Sequence, residues 1–156
     1  MFTYTLSDGT ATDTATLTIT VTGVNDTPVA QNDVGVIAED STLIVANSDN
    51  ANVSGSYDAT GEHSGDVIDT SSSSHTDSDA DDSASLSITQ IKKDGGSDSS
   101  VSSGSSYNSS GTSVTGTYGT LTIGADGSYT YIADQAAADA LCLLYTSPSP
   151  RDKRLS

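Results

Sequence analysis

The sequence predicts an all-β protein built as an antiparallel β-sandwich. Three observations carry this. "ATLTITVTG" (15–23) alternates without a fault, with Ala15, Leu17, Ile19 and Val21 on one side and four threonines on the other. A period of two with β-branched residues is the mark of a half-buried antiparallel strand. Alternating runs also flank Asp8-Gly9 and Asp126-Gly127, and Asp-Gly between such runs signals a hairpin. No stretch of useful length keeps a helical period, apart from one short turn expected at "DQAAADAL" (134–141).

In order along the chain, "FTYTLSDG" presents Phe2, Tyr4 and Leu6 on one face, so residues 2–23 are expected to form a hairpin with a long second strand. "VIAEDSTLIVA" (36–46) suggests one or two strands. "ASLSITQI" (84–91) reads as a strand carrying Leu86 and Ile88. "TLTIGADGSYTYI" (120–132) reads as a hairpin that pairs Leu121 and Ile123 with Tyr129 and Tyr131. Tyr4, Tyr129 and Tyr131 fall on in-facing positions and are expected in the core; Tyr57 and Tyr107 fall in loops. The Ser-, Gly-, Asp- and Asn-rich stretches 47–82 and 94–111 have little to bury and read as long flexible loops, the first with at most one weak strand.

Five basic residues stand against 21 acidic ones, a formal net charge of −16. That sign argues against nucleic acid and anionic membrane surfaces as partners and favours divalent cations. Only 33% of residues are hydrophobic and 5% aromatic, with no Trp, values near the border of disorder. The regular placing of the apolar residues restores a folded reading. No run is long and apolar enough to span a membrane, and "MFTYTLSDG" lacks the basic start and apolar core of a secretory leader. A single cysteine, Cys142, excludes a disulfide within the chain.

"HTDSDADDS" (75–83) crowds Asp77, Asp79, Asp81 and Asp82 together with no neighbouring cation. An EF-hand needs Gly at loop position 6 and a bidentate Glu at 12; counted from Asp77 these are Asp82 and Ile88, so an EF-hand is rejected. The nonapeptide glycine-aspartate repeat of calcium β-rolls is also absent. Composition leaves two readings open: a solvated acidic loop, or an oxygen-only site for a hard cation such as calcium, with ligands gathered from separate loops. Catalytic patterns are poor. His63, Ser64 and Asp66 are near-adjacent on one loop, whereas triad members converge from distant segments. No G-x-S-x-G elbow exists. His63 and His75 have no second pair to complete a zinc site. An enzyme is therefore not expected.

"FTYTLSDGTATDTATLTITVTGVNDTPVA" (2–30), "YGTLTIGADGSYTYIADQ" (118–135) and "HTDSDADDSASLSIT" (75–89) resemble segments of VCBS and bacterial cadherin-like repeats. These repeats build very large secreted adhesins, often with toxin-type calcium repeats elsewhere in the same protein. The resemblance covers most of residues 2–141. It implies a cadherin/immunoglobulin-like Greek-key sandwich at the bacterial cell surface or outside the cell, with neighbouring repeats of the same protein as partners. It also implies calcium at the junctions between repeats. On the cadherin pattern, Asn25 and Asp26 of "GVNDTP" would be junction ligands, with Gly23 and Thr27 standing where further ligands are usual. Glu39 matches an early glutamate that faces the next junction. The Asp-x-Asp pair would be Asp77/Asp79 or Asp79/Asp81. Asp8 matches an aspartate serving the junction upstream.

The register implied by the resemblance is out of phase. Residues 1–27 correspond to the closing hairpin and linker of one repeat. Residues 28–141 correspond to the next repeat without its last strands, so one sandwich is incomplete or permuted. Residues 142–156, "CLLYTSPSPRDKRLS", hold the only Cys, two of the three prolines and three of the five basic residues. They resemble a translated sequencing adapter and are expected not to be native. The expected function is a calcium-binding structural spacer or adhesion repeat. The alternative is a glycan-binding module attached to a secreted enzyme, for which only Tyr57 and Tyr107 could offer exposed rings.

Overall fold

A computed structural model describes residues 1–46, 53–70, 74–81 and 84–143. It is mostly strand, with antiparallel sheets throughout and almost no helix, an all-β sandwich. The strands are β1 (Phe2–Ser7), β2 (Thr12–Leu17), β3 (Thr42–Val45), β4 (Val53–Gly55), β5 (Gln90–Ile91), β6 (Ser99–Ser100), β7 (Thr112–Thr115), β8 (Thr120–Ile123) and β9 (Tyr129–Ile132). One helix, α1 (Ala136–Leu143), follows. It runs across the boundary expected at Cys142; residues 144–156 lie outside the described part of the chain. Among the described residues no helix is long and apolar enough to cross a membrane.

The central sheet has the order β4-β3-β9-β8-β7. Its register stacks side chains of one parity. Leu43 faces Tyr131 and Tyr131 faces Leu121; Val45 faces Tyr129 and Tyr129 faces Ile123. These two rows make the inner face, and Leu43, Val45, Ile123 and Tyr129 are buried there with Val101 and Ala125. The opposite face carries Thr and Ser: the Ser113 and Thr122 hydroxyls are 2.7 Å apart, and Thr130 Oγ1 donates to the Leu43 carbonyl at 3.0 Å. Alternation in the sequence thus becomes one dry and one wet face.

The β8–β9 turn is built as the sequence indicates. Asp126 Oδ1 accepts from the Ser128 N–H at 3.0 Å and its hydroxyl at 2.5 Å, and Gly127 takes φ 88°. A Cβ on Gly127 would also meet Ile68 at 3.0 Å, so the turn is packed against the 66–69 loop as well as strained for any other residue.

Several expectations are corrected. Residues 18–23 do not continue β2, which stops at Leu17, and residues 84–89 are not in a strand, since β5 is only Gln90–Ile91. Among the described residues the partners of 84–89 change from one bond to the next instead of forming one ladder: Ala84 donates to the Asp81 carbonyl, Ile88 to the Ala125 carbonyl, and the Thr89 carbonyl accepts from Val101 N–H. Tyr4 is not core; it is 52% exposed. Every residue of β1 and β2 is exposed, so the hairpin forms but is not docked on the sandwich among the described residues. Residues 94–111 also differ from a wholly solvated loop: they contain β6, and they bury Val101 and Ser105.

Candidate functional site

The acidic segment sits at the β8–β9 turn end of the sandwich, held between two others. Ser78 exchanges backbone bonds with Val29, at 2.8 and 3.0 Å, and the Asp77 N–H donates to the Asp69 carbonyl at 2.6 Å. Val67 in turn bonds the Gly127 carbonyl at 3.1 Å, which ties this end to the central sheet.

The carboxylates of this segment are met by backbone N–H groups. Asp77, 7% exposed, accepts from Gln31 N–H at Oδ1 (2.8 Å) and from Asp69 N–H at Oδ2 (3.2 Å). Asp81 Oδ2 accepts from Asp26 N–H at 2.8 Å, and Asp79 Oδ1 accepts from Asp81 N–H at 2.8 Å. Asn25 Nδ2 donates to the Asp26 carbonyl at 2.5 Å. So five of the six residues expected as metal ligands, Asn25, Asp26, Asp77, Asp79 and Asp81, come to one end of the molecule. Pro28, Val29, Asp77 and Asp79 share a cleft of about 300 Å³ there. Glu39 is not with them. It lines a different cleft at the Ala133 end of β9. Asp8 caps its own turn, accepting from the Thr10 and Ala11 N–H groups at 2.8 Å each, bonds that hold its carboxyl below the usual range.

Three acidic residues join this end that the sequence reading did not place among the metal ligands. Asp66 and Asp69 are each 1% exposed, and Asp33 is half-buried. Burial raises the Asp33 carboxyl above its ordinary value; the Asp77 and Asp69 charges add to this, while a Ser64 hydrogen bond and the charge of His75 oppose it. Burial, then the charges of Asp33 and Asp66, push the Tyr129 phenol up to about 12. The available signal was apolar context: Asp66 and Asp69 bracket Val67-Ile68, and Asp33 precedes Val34.

The donor set is all oxygen and strongly negative, a chemistry that suits hard cations in general. It does not form a cage. Among the described residues no group of three or more His, Cys, Asp and Glu is arranged to hold a metal ion. Asp77, Asp79 and Asp81 each turn a carboxylate oxygen to a backbone N–H, although a carboxylate oxygen that accepts one hydrogen bond keeps a second lone pair for a cation.

The residues weighed as catalytic are engaged structurally. Ser64 Oγ accepts from Val34 N–H at 2.9 Å and lies 3.3 Å from the Val34 carbonyl. His63 Nδ1 accepts from Val36 N–H at 3.4 Å, which leaves Nε2–H to donate to the Asp58 carbonyl at 3.0 Å. The His63 ring also meets Tyr57 edge-on, with centroids 4.9 Å apart. His75 Nδ1 is 2.6 Å from the Asn32 carbonyl.

Comparison with protein families, curated proteins and solved structures finds no match to this chain. The class is therefore defined by the fold alone, an all-β antiparallel sandwich with an acidic end.

Proposed function

We propose that this chain is a calcium-binding structural spacer or adhesion repeat of a large bacterial cell-surface or secreted protein. One observation carries the reading: the Asn25-Asp26 linker and the acidic segment, far apart in sequence, are joined by the Asp26 N–H bond to Asp81. A junction in which linker and acidic loop share a hydrogen bond is one that a cation between them would stiffen.

Asp77, Asp79 and Asp81 would supply carboxylate oxygens, and Asn25 and Asp26 would complete the set from the linker. Calcium accepts six to eight oxygens at flexible geometry, which suits ligands gathered from separate segments by side-chain rotation on binding. The ion supplies positive charge where like charges otherwise repel. Glu39, at the other end of the sandwich, would belong to a separate junction with a neighbouring repeat.

Isothermal titration of calcium into the chain tests this. The expected result is binding in the range of extracellular modules, with Kd of roughly 10⁻⁴–10⁻³ M, weakened by Asp79→Ala and unchanged by Asp94→Ala. Absence of heat with calcium, or equal effects of the two substitutions, overturns it.

A further inference from the structure

The central sheet has one edge built to take a further strand. β7 has β8 on one side and no neighbour on the other among the described residues. Ladder bonds alternate along an antiparallel pair. Gly116 N–H donates to the Gly119 carbonyl at 2.7 Å, so, counting back from that pair, Val114 and Thr112 bond to β8 while Ser113 and Thr115 do not. The backbone N–H and C=O groups of Ser113 and Thr115 therefore point outward at the sheet edge, and both residues are exposed. Natural edges are blunted by Lys, Pro, a bulge or an inward-pointing charge. "TSVT" has no such residue, and its register with β8 has no bulge. The opposite edge, β4, is only three residues long and ends in Gly55 at φ 100°.

We propose that β7 pairs with β7 of a second copy of the chain, antiparallel and about a two-fold axis, so that the two central sheets join. The occupant follows from the symmetry of the edge itself. Opposite residues of an antiparallel pair lie on one face of the sheet, so the two dry faces align only when the axis passes through a residue. With the axis at Val114, Ser113 stands opposite Thr115 of the second copy, and Thr115 opposite Ser113 of the second copy. Every outward N–H of the two strands then finds a carbonyl. An axis at Ser113 or at Thr115 carries the other of these two residues past the end of the strand. The side chains agree. Val114 meets its own copy on the dry face, beside Leu121. Ser113 meets Thr115 on the wet face, the kind of hydroxyl pair that Ser113 already makes with Thr122 at 2.7 Å.

Charge selects this side of the molecule. Residues 99–125 hold no charged side chain in a chain of net charge −16. Lys92 and Lys93, the basic residues among those described, share a hollow with Val114. Two copies therefore meet here with little repulsion. The pairing is isologous, so it stops at two copies, and its area falls in the weak class of interfaces, under about 1,200 Å². It is a lateral contact that goes beyond the cation reading and is tested without calcium.

Two full-length chains, Ser113→Cys and Thr115→Cys, each also carrying Cys142→Ser, read the register. In the proposed pair the Cα atoms of position 113 and of position 115 of the second copy are about 5.5 Å apart, inside the roughly 4.4–6.8 Å that a disulfide spans. Two copies of position 113, or two of position 115, are offset by two more residues along the strand, about 8–9 Å, and are not bridged. In chelator with oxidised glutathione, the mixed chains should form a disulfide-linked pair several-fold faster than either chain alone. The rate should rise with salt, which screens the repulsion between copies. In the unaltered chain, amide hydrogen exchange at Ser113 and Thr115 should slow as protein concentration rises, while Val114, already bonded to β8, stays unchanged. Mixed chains that cross-link no faster than either chain alone overturn the proposal. So does exchange at Ser113 and Thr115 that ignores concentration: if fast, the edge stays empty, and if slow, a segment of the same chain fills it.

Discussion

The backbone N–H of Asp26 donates to Oδ2 of Asp81 at 2.8 Å, closing a span of 55 residues. The linker is thereby held to the acidic segment by a charge-assisted bond. Asp81→Ala should cost about 0.5–1.5 kcal/mol, the net value of one such exposed bond. Asp81→Asn, which keeps an acceptor oxygen, should cost less. Amide hydrogen exchange at Asp26 checks this directly: exchange should accelerate in the alanine variant and stay near wild type in the asparagine variant.

Asp77 is a larger stake. Its two oxygens satisfy the Gln31 and Asp69 N–H groups in a site where the residue is 7% exposed. Asp77→Ala leaves both donors without an acceptor and should destabilise the fold by about 2–4 kcal/mol in urea unfolding. Asp94→Ala, on an exposed turn, should change stability by less than about 0.5 kcal/mol.

Asp33 should behave in the opposite sense. Its folded-state carboxyl is raised above the ordinary 3.8, chiefly by burial. A raised value means that the folded state holds the proton more tightly than the unfolded state, so this stabilising preference is present at low pH and lost as pH rises through the folded value. At neutral pH the ionised Asp33 is then a net cost. Asp33→Asn should raise the melting temperature at neutral pH, and the gain should shrink as the pH falls through the Asp33 titration.

Tyr129 reports the same acidic end from the core. Its phenol titrates at about 12, against 10.0 for a free tyrosine. Stability from the neutral phenol is full below pH 10 and is lost as pH rises towards 12. Burial, then the Asp134 charge, also raises the Tyr131 phenol, so ultraviolet difference titration should resolve more than one late phenolate step, and Tyr129→Phe should remove one of them and lessen the loss of stability over that window.

The parts of the fold legible in the sequence are those fixed by neighbours along the chain. Alternation and an Asp-Gly turn suffice to place Leu121 and Ile123 against Tyr129 and Tyr131, because a hairpin's register follows from its turn. Alternation does not say what a face meets. Tyr4 and Leu17 share a face as expected, yet that face is open to solvent. The acidic end was half legible. Asp77, Asp79 and Asp81 stand out as a charge run, but the backbone N–H partners of Asp77 and Asp81 belong to Gln31, Asp69 and Asp26, which only the folded chain brings near. Asp33, Asp66 and Asp69 are single carboxylates in loops, and their burial depends on long-range packing that no local pattern encodes.

Thermal unfolding of the chain in chelator, in magnesium and in calcium tests the central claim most directly. Calcium at about 100 times its dissociation constant should add ~2.7 kcal/mol, a rise in melting temperature on the order of 10 °C. Magnesium should do less, because it demands tighter octahedral geometry and gives up its waters reluctantly. Asp79→Ala should lose most of the calcium increment, and Asp94→Ala should keep it. A melting temperature indifferent to calcium, or one that both variants shift alike, would contradict the account and leave the acidic segment a loop held by backbone N–H groups alone.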